Sequence, residues 1–304
     1  MEKGNLIIGS HVSFNKNEQL IGSVKEAISY GATTFMFYTG APQNSRRYPI
    51  DDSKTRQAIN LMEKNNIEKE NVVIHAPYIA NLANIGEKQA FGIQLLKEEI
   101  NRCSQLGVDK LIIHPGSHVG LGKEQGLKNI INALNELLAN TRVIICLETM
   151  AGKGTELGIN FAEMKTIIDN IIKKDQIGIC LDTCHMFDAG YDLNEFDKLI
   201  KEFDEIIGIE KIKCIHINDS KNEKNSHKDR HANLGFGNIG FETLIKIIYH
   251  ESLKEVPKIL ETPYITENDG SMKKVYPPYK LEIEAIKNKE MNSNLLEDIR
   301  SYYK

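Results

Sequence analysis

Residues Ile177–Asp182 read IGICLD, an apolar run that ends on an acid, and His185 follows three positions later. Short apolar runs of this composition are typical of buried strands. Seven more such runs occur along the chain, and the segments between them space their apolar residues with a helical period. The eight predicted strands are Leu6–Ile8, Thr33–Tyr38, Val72–His75, Lys110–His114, Arg142–Glu148, Ile177–Asp182, Ile212–Ile217 and Lys258–Glu261.

The alternation of strands and helices predicts the fold class. Apolar residues from Phe91 to Cys103 recur at helical spacing, and Leu281–Ile286 predicts the last crossover helix. Each such segment is a candidate crossover between parallel strands. Eight strand-then-helix units without a flexible linker predict one α/β domain over residues 1–304, a single (β/α)8 TIM barrel. The alternative, a doubly wound open sheet, would need a Gly-rich loop after its first strand, and Gly9-Ser-His-Val is not one.

Composition and charge narrow the class of protein. The chain has 304 residues, of which 41% are hydrophobic and 26% charged, as in ordinary globular proteins. Its formal net charge of −4 excludes a generally basic nucleic-acid binder, so any polyanion must be attracted locally. Five cysteines without a C-x-x-C pair are unsuited to a disulfide framework, and no apolar run is long enough to cross a membrane. Because the N-terminus lacks the apolar stretch of a signal peptide, we expect a cytoplasmic protein without membrane contact. We also expect a monomer.

Six of the predicted strands carry a histidine or an acid at or near their carboxyl end. These residues are His75, His114, Glu148, Asp182, His216 and Glu261. Side chains alternate along a strand, so the residue two positions earlier shares the same face. Those residues are Val73, Ile112, Cys146, Cys180, Cys214 and Ile259. The pattern predicts an apolar barrel interior below a ring of polar groups at the barrel mouth, where barrel enzymes keep their active sites.

A ring of imidazoles and carboxylates at one mouth indicates bound metal. Crowded, partly buried carboxylates repel one another unless cations neutralise them. Three further groups of ligand type, His185, Asp229 and His231, lie in the loops. A set of nine is too large for one tetrahedral zinc but suits three ions that share a carboxylate. The residues therefore predict three divalent ions, and a His/Asp/Glu shell suits zinc and manganese.

Structural explanations exist for each residue taken alone. A single histidine at a strand end is more often structural than a ligand, and Asp182 is also suited to cap the helix that follows it. The inward cysteines resemble nucleophiles or thiolate ligands, but their position one layer below the ring favours core packing. His118, His227 and His250 lack a strand-end position and are predicted to lie on the surface. The recurrence of a histidine or an acid at the end of six strands favours a metal site over these separate structural explanations.

The chain resembles the endonuclease IV family, the type 2 apurinic/apyrimidinic (AP) endonucleases also called deoxyribonuclease IV. The resemblance covers essentially the whole chain, and its most specific segments are the octapeptide ending in His185 and the H-x-N-D-S-K stretch. The segments are Gly9-Ser-His-Val-Ser, His75-Ala-Pro-Tyr, His114-Pro-Gly, Leu147-Glu-Thr, Gly178-Ile-Cys-Leu-Asp-Thr-Cys-His185, His216-Ile-Asn-Asp-Ser-Lys221, Asp229-Arg-His231, Gly235-x-Gly-x-Ile-Gly240 and Leu260-Glu-Thr-Pro263.

The resemblance implies a TIM barrel that holds a trinuclear zinc cluster at its mouth and binds duplex DNA with its loops. It implies cleavage of the phosphodiester 5′ to an abasic deoxyribose in base excision repair, leaving a 3′-hydroxyl and a 5′-deoxyribose phosphate. By motif position the first zinc would be held by His75, His114 and Glu148, the second by Glu148, Asp182, His216 and Glu261, and the third by His185, Asp229 and His231. Glu148 and Glu261 would take the catalytic roles. Three such ions would bring the formal charge from −4 to about +2.

The resemblance also implies DNA contacts outside the metal ligands. Tyr78 and Ile79 occupy the positions of the family's aromatic and apolar wedge, which fills the gap left by a displaced nucleotide. Polar and basic residues of the loop after the second strand would face that gap, and basic loop residues would contact the DNA backbone. These candidates are Gln43, Asn44, Arg46 and Arg47 for the gap and Lys221 and Arg230 for the backbone.

Two other classes of protein remain open from the residues alone. A sugar isomerase or epimerase on the same barrel type would use one or two metals, and four of the strand-end residues suffice for it. Such an enzyme has no use for the other five ligands. The number of metals per chain therefore distinguishes it from an AP endonuclease. A non-enzymatic DNA-binding barrel with a structural cluster is the second alternative, although structural zinc sites are closed and usually rich in cysteine.

Overall fold

Eight parallel strands close into a barrel in the computed structural model, which describes residues 6–267 and 273–304. The barrel strands are β1 (Ile8–Val12), β2 (Thr34–Phe37), β3 (Val73–His75), β4 (Lys110–Ile113), β5 (Ile144–Glu148), β6 (Ile177–Asp182), β7 (Ile212–Ile217) and β10 (Lys258–Leu260). Around the barrel the strand order is β1-β10-β7-β6-β5-β4-β3-β2, with β1 paired to both β10 and β2. The predicted (β/α)8 barrel is therefore confirmed.

The α-helices surround the barrel and return the chain from one strand to the next. The helix predicted from Leu281–Ile286 is α9, which follows the last barrel strand. The helices are α1 (Leu20–Ser29), α2 (Asp52–Lys64), α3 (Gly86–Leu106), α4 (Lys123–Leu138), α5 (Phe161–Asp169), α6 (Thr183–Asp188), α7 (Phe196–Ile206), α8 (Phe241–Ile248), α9 (Tyr279–Asn288) and α10 (Leu295–Tyr303). None of the helices in the described residues is both long and apolar enough to cross a membrane.

The first strand lies further along the chain than predicted. The expected run ended at Ile8, but β1 begins there and continues to Val12. The prediction followed the apolar residues alone, whereas the barrel also accepts the small residues after them. Gly9 lies so close to β2 that a Cβ atom there would be 1.9 Å from the carbonyl oxygen of Thr34. The shift matters because it carries His11 to the carboxyl end of the strand.

The barrel interior has the predicted apolar layer. All six inward residues named from strand alternation are fully buried and pack together with Met36. The cysteines of this layer are therefore core residues, as predicted, and they are unbridged. A second and larger core fills the space between the strands and the helices. The two cores fix the strands, and with them the groups at the strand ends.

Two small hairpins extend the barrel. One consists of β8 (Asp219–Ser220) and β9 (His231–Ala232), which border the loop that carries Asp229. The other consists of β11 (Ile265–Thr266) and β12 (Lys274–Tyr276). Its residue Ile265 packs with Leu295 and Ile299 of α10. The first hairpin lies beside the barrel mouth and completes it.

Candidate metal centre

The nine predicted ligands come together at the carboxyl ends of the barrel strands. Glu148, the last residue of β5, lies at their centre and is 1% exposed. Its Oε2 lies 2.9 Å from Nε2 of His75 and 3.3 Å from Nε2 of His114. Its Oε1 lies 2.9 Å from Nδ1 of His216 and 3.4 Å from Nδ1 of His185. One carboxylate therefore faces four imidazoles from four different elements.

The ligand atoms fall into overlapping groups whose members lie within 4.8 Å of one another. The groups share Glu148 and Asp182, which is the arrangement expected when neighbouring cations share carboxylates. Asp229 joins the last group, since its Oδ1 lies 3.2 Å from Nε2 of His185 and 3.5 Å from Nε2 of His231. The groups made of imidazoles and carboxylates alone are His75, His114 and Glu148; Glu148, Asp182, His216 and Glu261; and Asp182, His185 and His231. Two further groups include cysteines: Cys180, Cys214 and His216; and Cys184, Asp229 and His231.

Backbone carbonyls fix the orientation of three imidazoles. The Nδ1 atoms of His75, His185 and His231 lie 2.7, 2.8 and 3.2 Å from the carbonyl oxygens of Ala76, Thr149 and Glu261. A proton on Nδ1 then leaves Nε2 as the electron-pair donor toward the cluster. This is the usual way in which a protein sets the tautomer of a ligating histidine.

The donor set fits divalent cations. The Nε2 atoms of His75, His185 and His231 face carboxylate oxygens of Glu148 and Asp229. When these imidazoles are neutral with the proton on Nδ1, the electron pair of each Nε2 faces the electron pairs of a carboxylate oxygen, and this arrangement needs a cation between them. Nε2 of His231 is also buried without a hydrogen-bond partner in the described part of the chain. A buried polar atom without a partner costs free energy, and a cation would remove that cost. Imidazole and carboxylate ligands suit zinc and manganese.

Without metal, the cluster is a set of buried imidazole–carboxylate pairs. Burial lowers the pKa of His185 and of His216, but the facing carboxylates outweigh it, so each pKa lies well above its usual value. Burial raises the pKa of Glu148, but His216 and His114 outweigh it and hold that pKa well below its usual value. Burial raises the pKa of Asp182. Cations that bind here must therefore displace protons from the imidazoles.

Asp182 and Asn218 connect the cluster to the backbone. Oδ1 of Asp182 accepts a hydrogen bond of 2.7 Å from the backbone N–H of His185, so Asp182 caps α6 and lies in the cluster at once. Nδ2 of Asn218 donates to Oδ2 of Asp182 at 2.7 Å and to Oε2 of Glu261 at 3.4 Å. Oδ1 of Asn218 accepts from the backbone N–H of Glu261 at 2.9 Å. Asn218 therefore orients two carboxylates of the ring.

Two buried aspartates hold the loops around the mouth. Asp188 accepts hydrogen bonds from the hydroxyl of Ser220 at 2.6 Å and from the backbone N–H of Asp229 at 2.8 Å. Asp219 accepts backbone N–H groups of the glycine-rich segment, including those of Gly237 at 3.0 Å and Ile239 at 2.9 Å. Carboxylates that accept several backbone N–H groups make such irregular segments rigid. The loop that carries Asp229 is thus positioned before any ligand binds.

A cavity of about 380 Å³ opens above the ring. It is lined by Tyr38, His75, Tyr78, His114, Glu148, Lys153, His185, Asp229, His231 and Glu261. Tyr78, which lines the cavity, is 45% exposed, and the next residue in the chain, Ile79, is 37% exposed. A larger groove of about 810 Å³, between α3 and the end of α4, is lined by none of the ring residues. The polar ring and the exposed aromatic ring of Tyr78 therefore meet at one cavity.

The remaining predicted DNA contacts differ in their exposure. Gln43, Asn44, Arg46, Lys221 and Arg230 are exposed. The amide of Gln43 donates to the hydroxyl of Tyr78 at 3.5 Å, so the loop after β2 reaches the edge of the cavity. These exposed positions allow the predicted contacts.

Arg47 is not presented to solvent. Its side chain is 2% exposed, and its Nε donates to Oε1 of Glu99 on α3 at 2.5 Å. Glu99 also accepts from the hydroxyl of Thr39 at 2.7 Å, and Arg102 donates to that hydroxyl. A buried charge persists where a counter-charge faces it. Arg47 therefore anchors the loop to α3, and its contact with DNA stays a prediction.

The cavity has three neighbours that strand-end reasoning missed. His11 lies at the end of β1, with its ring 5.2 Å from that of Tyr38. Burial lowers its pKa, although Glu261 opposes the shift. Extending the first strand by its alternation would have found His11. Asn218 and Lys153 gave no signal in the strand pattern, because their positions depend on the folded loops.

Comparisons with known proteins agree with this geometry. A family model described as a xylose isomerase-like TIM barrel matches residues 24–287. The probable endonuclease 4 of Bacillus subtilis (strain 168) is 49% identical over 298 residues, 97% of this chain and 99% of that protein. That of Staphylococcus saprophyticus is 48% identical over 294 residues, 95% of this chain and 98% of that protein.

Solved structures also show similarity to endonuclease IV. The crystal structure of endonuclease IV from Thermus thermophilus superposes with a TM-score of 0.77 at 29% identity, covering 93% of this chain and 99% of that one. A D-tagatose 3-epimerase-like protein gives a TM-score of 0.64 at 19% identity, which shows the shared barrel alone. The fold and the ring of ligands define an enzyme of the xylose isomerase-like TIM-barrel class. Within this class the chain belongs to the endonuclease IV family, and it is a metal-dependent endodeoxyribonuclease.

Proposed function

We propose that the protein cuts duplex DNA at abasic sites, on the 5′ side of the abasic deoxyribose, and leaves a 3′-hydroxyl and a 5′-deoxyribose phosphate. We infer three Zn²⁺ per chain, with Mn²⁺ as an option at one site. The observation that carries the proposal is the ring of nine ligands in overlapping groups beneath an open cavity. Bound zinc ions supply Lewis acidity toward a phosphodiester and activate water for attack on phosphorus.

Glu148 and Glu261 have different tasks in this proposal. Glu148 is 1% exposed and faces imidazoles on both of its oxygens, which suits a carboxylate shared between cations. The side chain of Glu261 is 17% exposed and lines the cavity. Burial raises the pKa of Glu261, but His216 outweighs it and holds that pKa below its usual value. Glu261 is therefore ionised at neutral pH, as a carboxylate must be to bind a cation and to accept a hydrogen bond from a water that it orients.

Tyr78 and Ile79 are suited to replace a displaced nucleotide. The two side chains are adjacent in the chain, and both are exposed enough to contact a ligand. Tyr78 lies at the boundary of the metal cavity, with its ring 6.1 Å from that of His114. An abasic nucleotide lacks the stacking that holds an ordinary nucleotide in the duplex, so it leaves at low cost. The exposed pair would then stack on the bases beside the gap.

We expect the change Tyr78→Ala to lower kcat/KM on abasic duplex about tenfold or more, because a base–aromatic stack contributes roughly 1–3 kcal/mol. Tyr78→Phe should retain most of the activity, since it keeps the ring. Tyr302 on α10 is 51% exposed and distant from the cavity in the chain, so Tyr302→Ala is the matched control. Equal activity of Tyr78→Ala and the control variant would contradict the wedge role.

The proposed function is tested by counting metal and measuring cleavage on the same preparation. The purified protein is given a duplex with one abasic site and, in parallel, the intact duplex. Metal per chain is measured by mass spectrometry before and after prolonged chelation. We expect close to three ions, a single cut at the abasic site and no cut after chelation. About one ion per chain without strand scission would reject the proposal.

The five additional ligands weigh against a sugar isomerase or epimerase. Such an enzyme needs one or two metals, and His75, His114, His185, Asp229 and His231 would then lie in the ring without a role. For the intact protein we infer one functional domain over residues 1–304, acting as a monomer in the cytoplasm. The packing of α10 against the second hairpin supports the single domain. Mass photometry of the purified protein tests the monomer.

A further inference from the structure

Lys153 lines the metal cavity. It is neither a predicted metal ligand nor part of the Tyr78–Ile79 wedge, so the proposed function gives it no role. It follows β5 in the loop that leads to α5, and it lines the same cavity as Glu148, Asp229 and Glu261. Among the described residues that line this cavity, Lys153 is the one lysine or arginine. Three carboxylates and one ammonium group therefore face the space that the substrate would enter.

The backbone around Lys153 is held in one conformation. Its neighbours Gly152 and Gly154 have φ angles of +83° and +63°, in the region that favours glycine. The backbone N–H of Lys153 donates to Oε2 of Glu156 at 2.8 Å. A Cβ atom at Gly152 would lie 2.6 Å from Nδ1 of His227, so the loop rests against the segment before Asp229. The turn presents the lysine at a fixed position beside the cavity.

The ammonium group of Lys153 has no carboxylate partner among residues 6–267 and 273–304. Many surface lysines are simply solvated, but this one combines a clamped backbone with a position at the cavity. A phosphate contact there would not have to break an existing ion pair. Lysine is a usual partner of phosphate as a compact point charge.

We propose that the side chain of Lys153 binds a backbone phosphate of the DNA strand that enters the metal cavity. The inference rests on the proposed function, since it assigns the subsite that receives the polyanion. The metals would attract the phosphate that is cut, and the lysine would add a contact at the edge of the cavity. Phosphate contacts fix the position of DNA without reading its sequence. Lys153 would therefore contribute equally to the affinity for DNA of any sequence around the lesion.

The test uses the metal-loaded protein and two readouts. The first is kcat/KM on abasic duplex over a series of KCl concentrations. The second is the affinity, by fluorescence anisotropy, for a nicked duplex that carries a 5′-tetrahydrofuran phosphate and has no bond left to cut. For Lys153→Gln we expect both values to fall about tenfold, the loss of one charged contact. The salt slope of the affinity should become shallower by about 1, the value for one phosphate contact.

Lys153→Arg should restore the affinity and the salt slope, because it returns the charge. Lys174, in the turn before β6, lies at the opposite end of the barrel, so Lys174→Gln removes the same charge as a control. Wild-type affinity and slope in Lys153→Gln would overturn the proposal. So would a weaker affinity with an unchanged slope, which indicates a structural role. Failure of the proposed function appears separately, as absence of cleavage by the wild-type protein.

Discussion

The variant Glu261→Gln is expected to lose cleavage of abasic duplex by a factor of about 10² to 10⁴, the range for loss of a general acid or base. Glu261 combines ionisation, cavity exposure and contact with the ring, since its Oε2 lies 3.0 Å from Nδ1 of His216. The amide of glutamine has nearly the same shape, so it preserves packing while it removes the negative charge. The fold should therefore survive, with a melting temperature within a few degrees of the wild type.

The measurement is single-turnover cleavage at saturating enzyme, with metal content determined for the same sample. Glu98 is exposed on α3, so Glu98→Gln removes an equal charge outside the ring and should leave the rate unchanged. A count that falls by one ion would show that Glu261 holds metal, whereas an unchanged count with a lost rate would assign it to proton transfer. Wild-type turnover in Glu261→Gln would refute its place in the site.

The ring was predictable from the sequence because two regular features determine it. Parallel strands of a barrel end at the same mouth, and side chains of a strand alternate between its faces. Glu148 and Cys146 illustrate the rule, since the acid lies at the mouth and the cysteine lies in the buried layer below it. Both inferences follow from position within the strand, so they hold without knowledge of the loops.

The loops followed no such rule, and there the predictions were incomplete. The family resemblance places Arg47 near DNA, but the sequence does not indicate its counter-charge Glu99, which lies 52 positions away on α3. The strand pattern does not single out Lys153, because only the folded turn brings it to the cavity. Long-range ion pairs and tight turns depend on contacts between segments that are distant in sequence. Local patterns do not contain this information.

Removal of the metals is expected to abolish cleavage and to reverse the pH dependence of stability. In the metal-free protein His185 and His216 have pKa values raised by facing carboxylates against the opposing effect of burial. Burial raises the pKa of Asp182. A group whose pKa is raised by folding stabilises the protein fully below its unfolded pKa, about 6.5 for histidine. That stabilisation is lost as the pH rises through the folded-state pKa.

The metal-loaded protein should show the opposite trend. Cations need deprotonated ligands, so their affinity and the stability they confer increase with pH. At a free metal concentration about 1,000 times Kd, binding contributes about 4 kcal/mol per site. For a chain of this size that corresponds to a difference in melting temperature of about 10 °C or more. The difference in melting temperature between the metal-loaded and metal-free forms should therefore be small near pH 6 and large near pH 9.

Differential scanning fluorimetry from pH 6 to pH 9 measures both forms, with the metal-free sample prepared by chelation and dialysis. His250 lies outside the ring and pairs with Asp197, so His250→Gln should leave the two profiles unchanged. Adding zinc back at pH 8 should restore the melting temperature and the cleavage together. A metal-free protein that gains stability between pH 7 and pH 9 would contradict this account. The buried imidazoles would then be neutral without metal, and the carboxylates around Glu148 would lack the counter-charge that their burial requires.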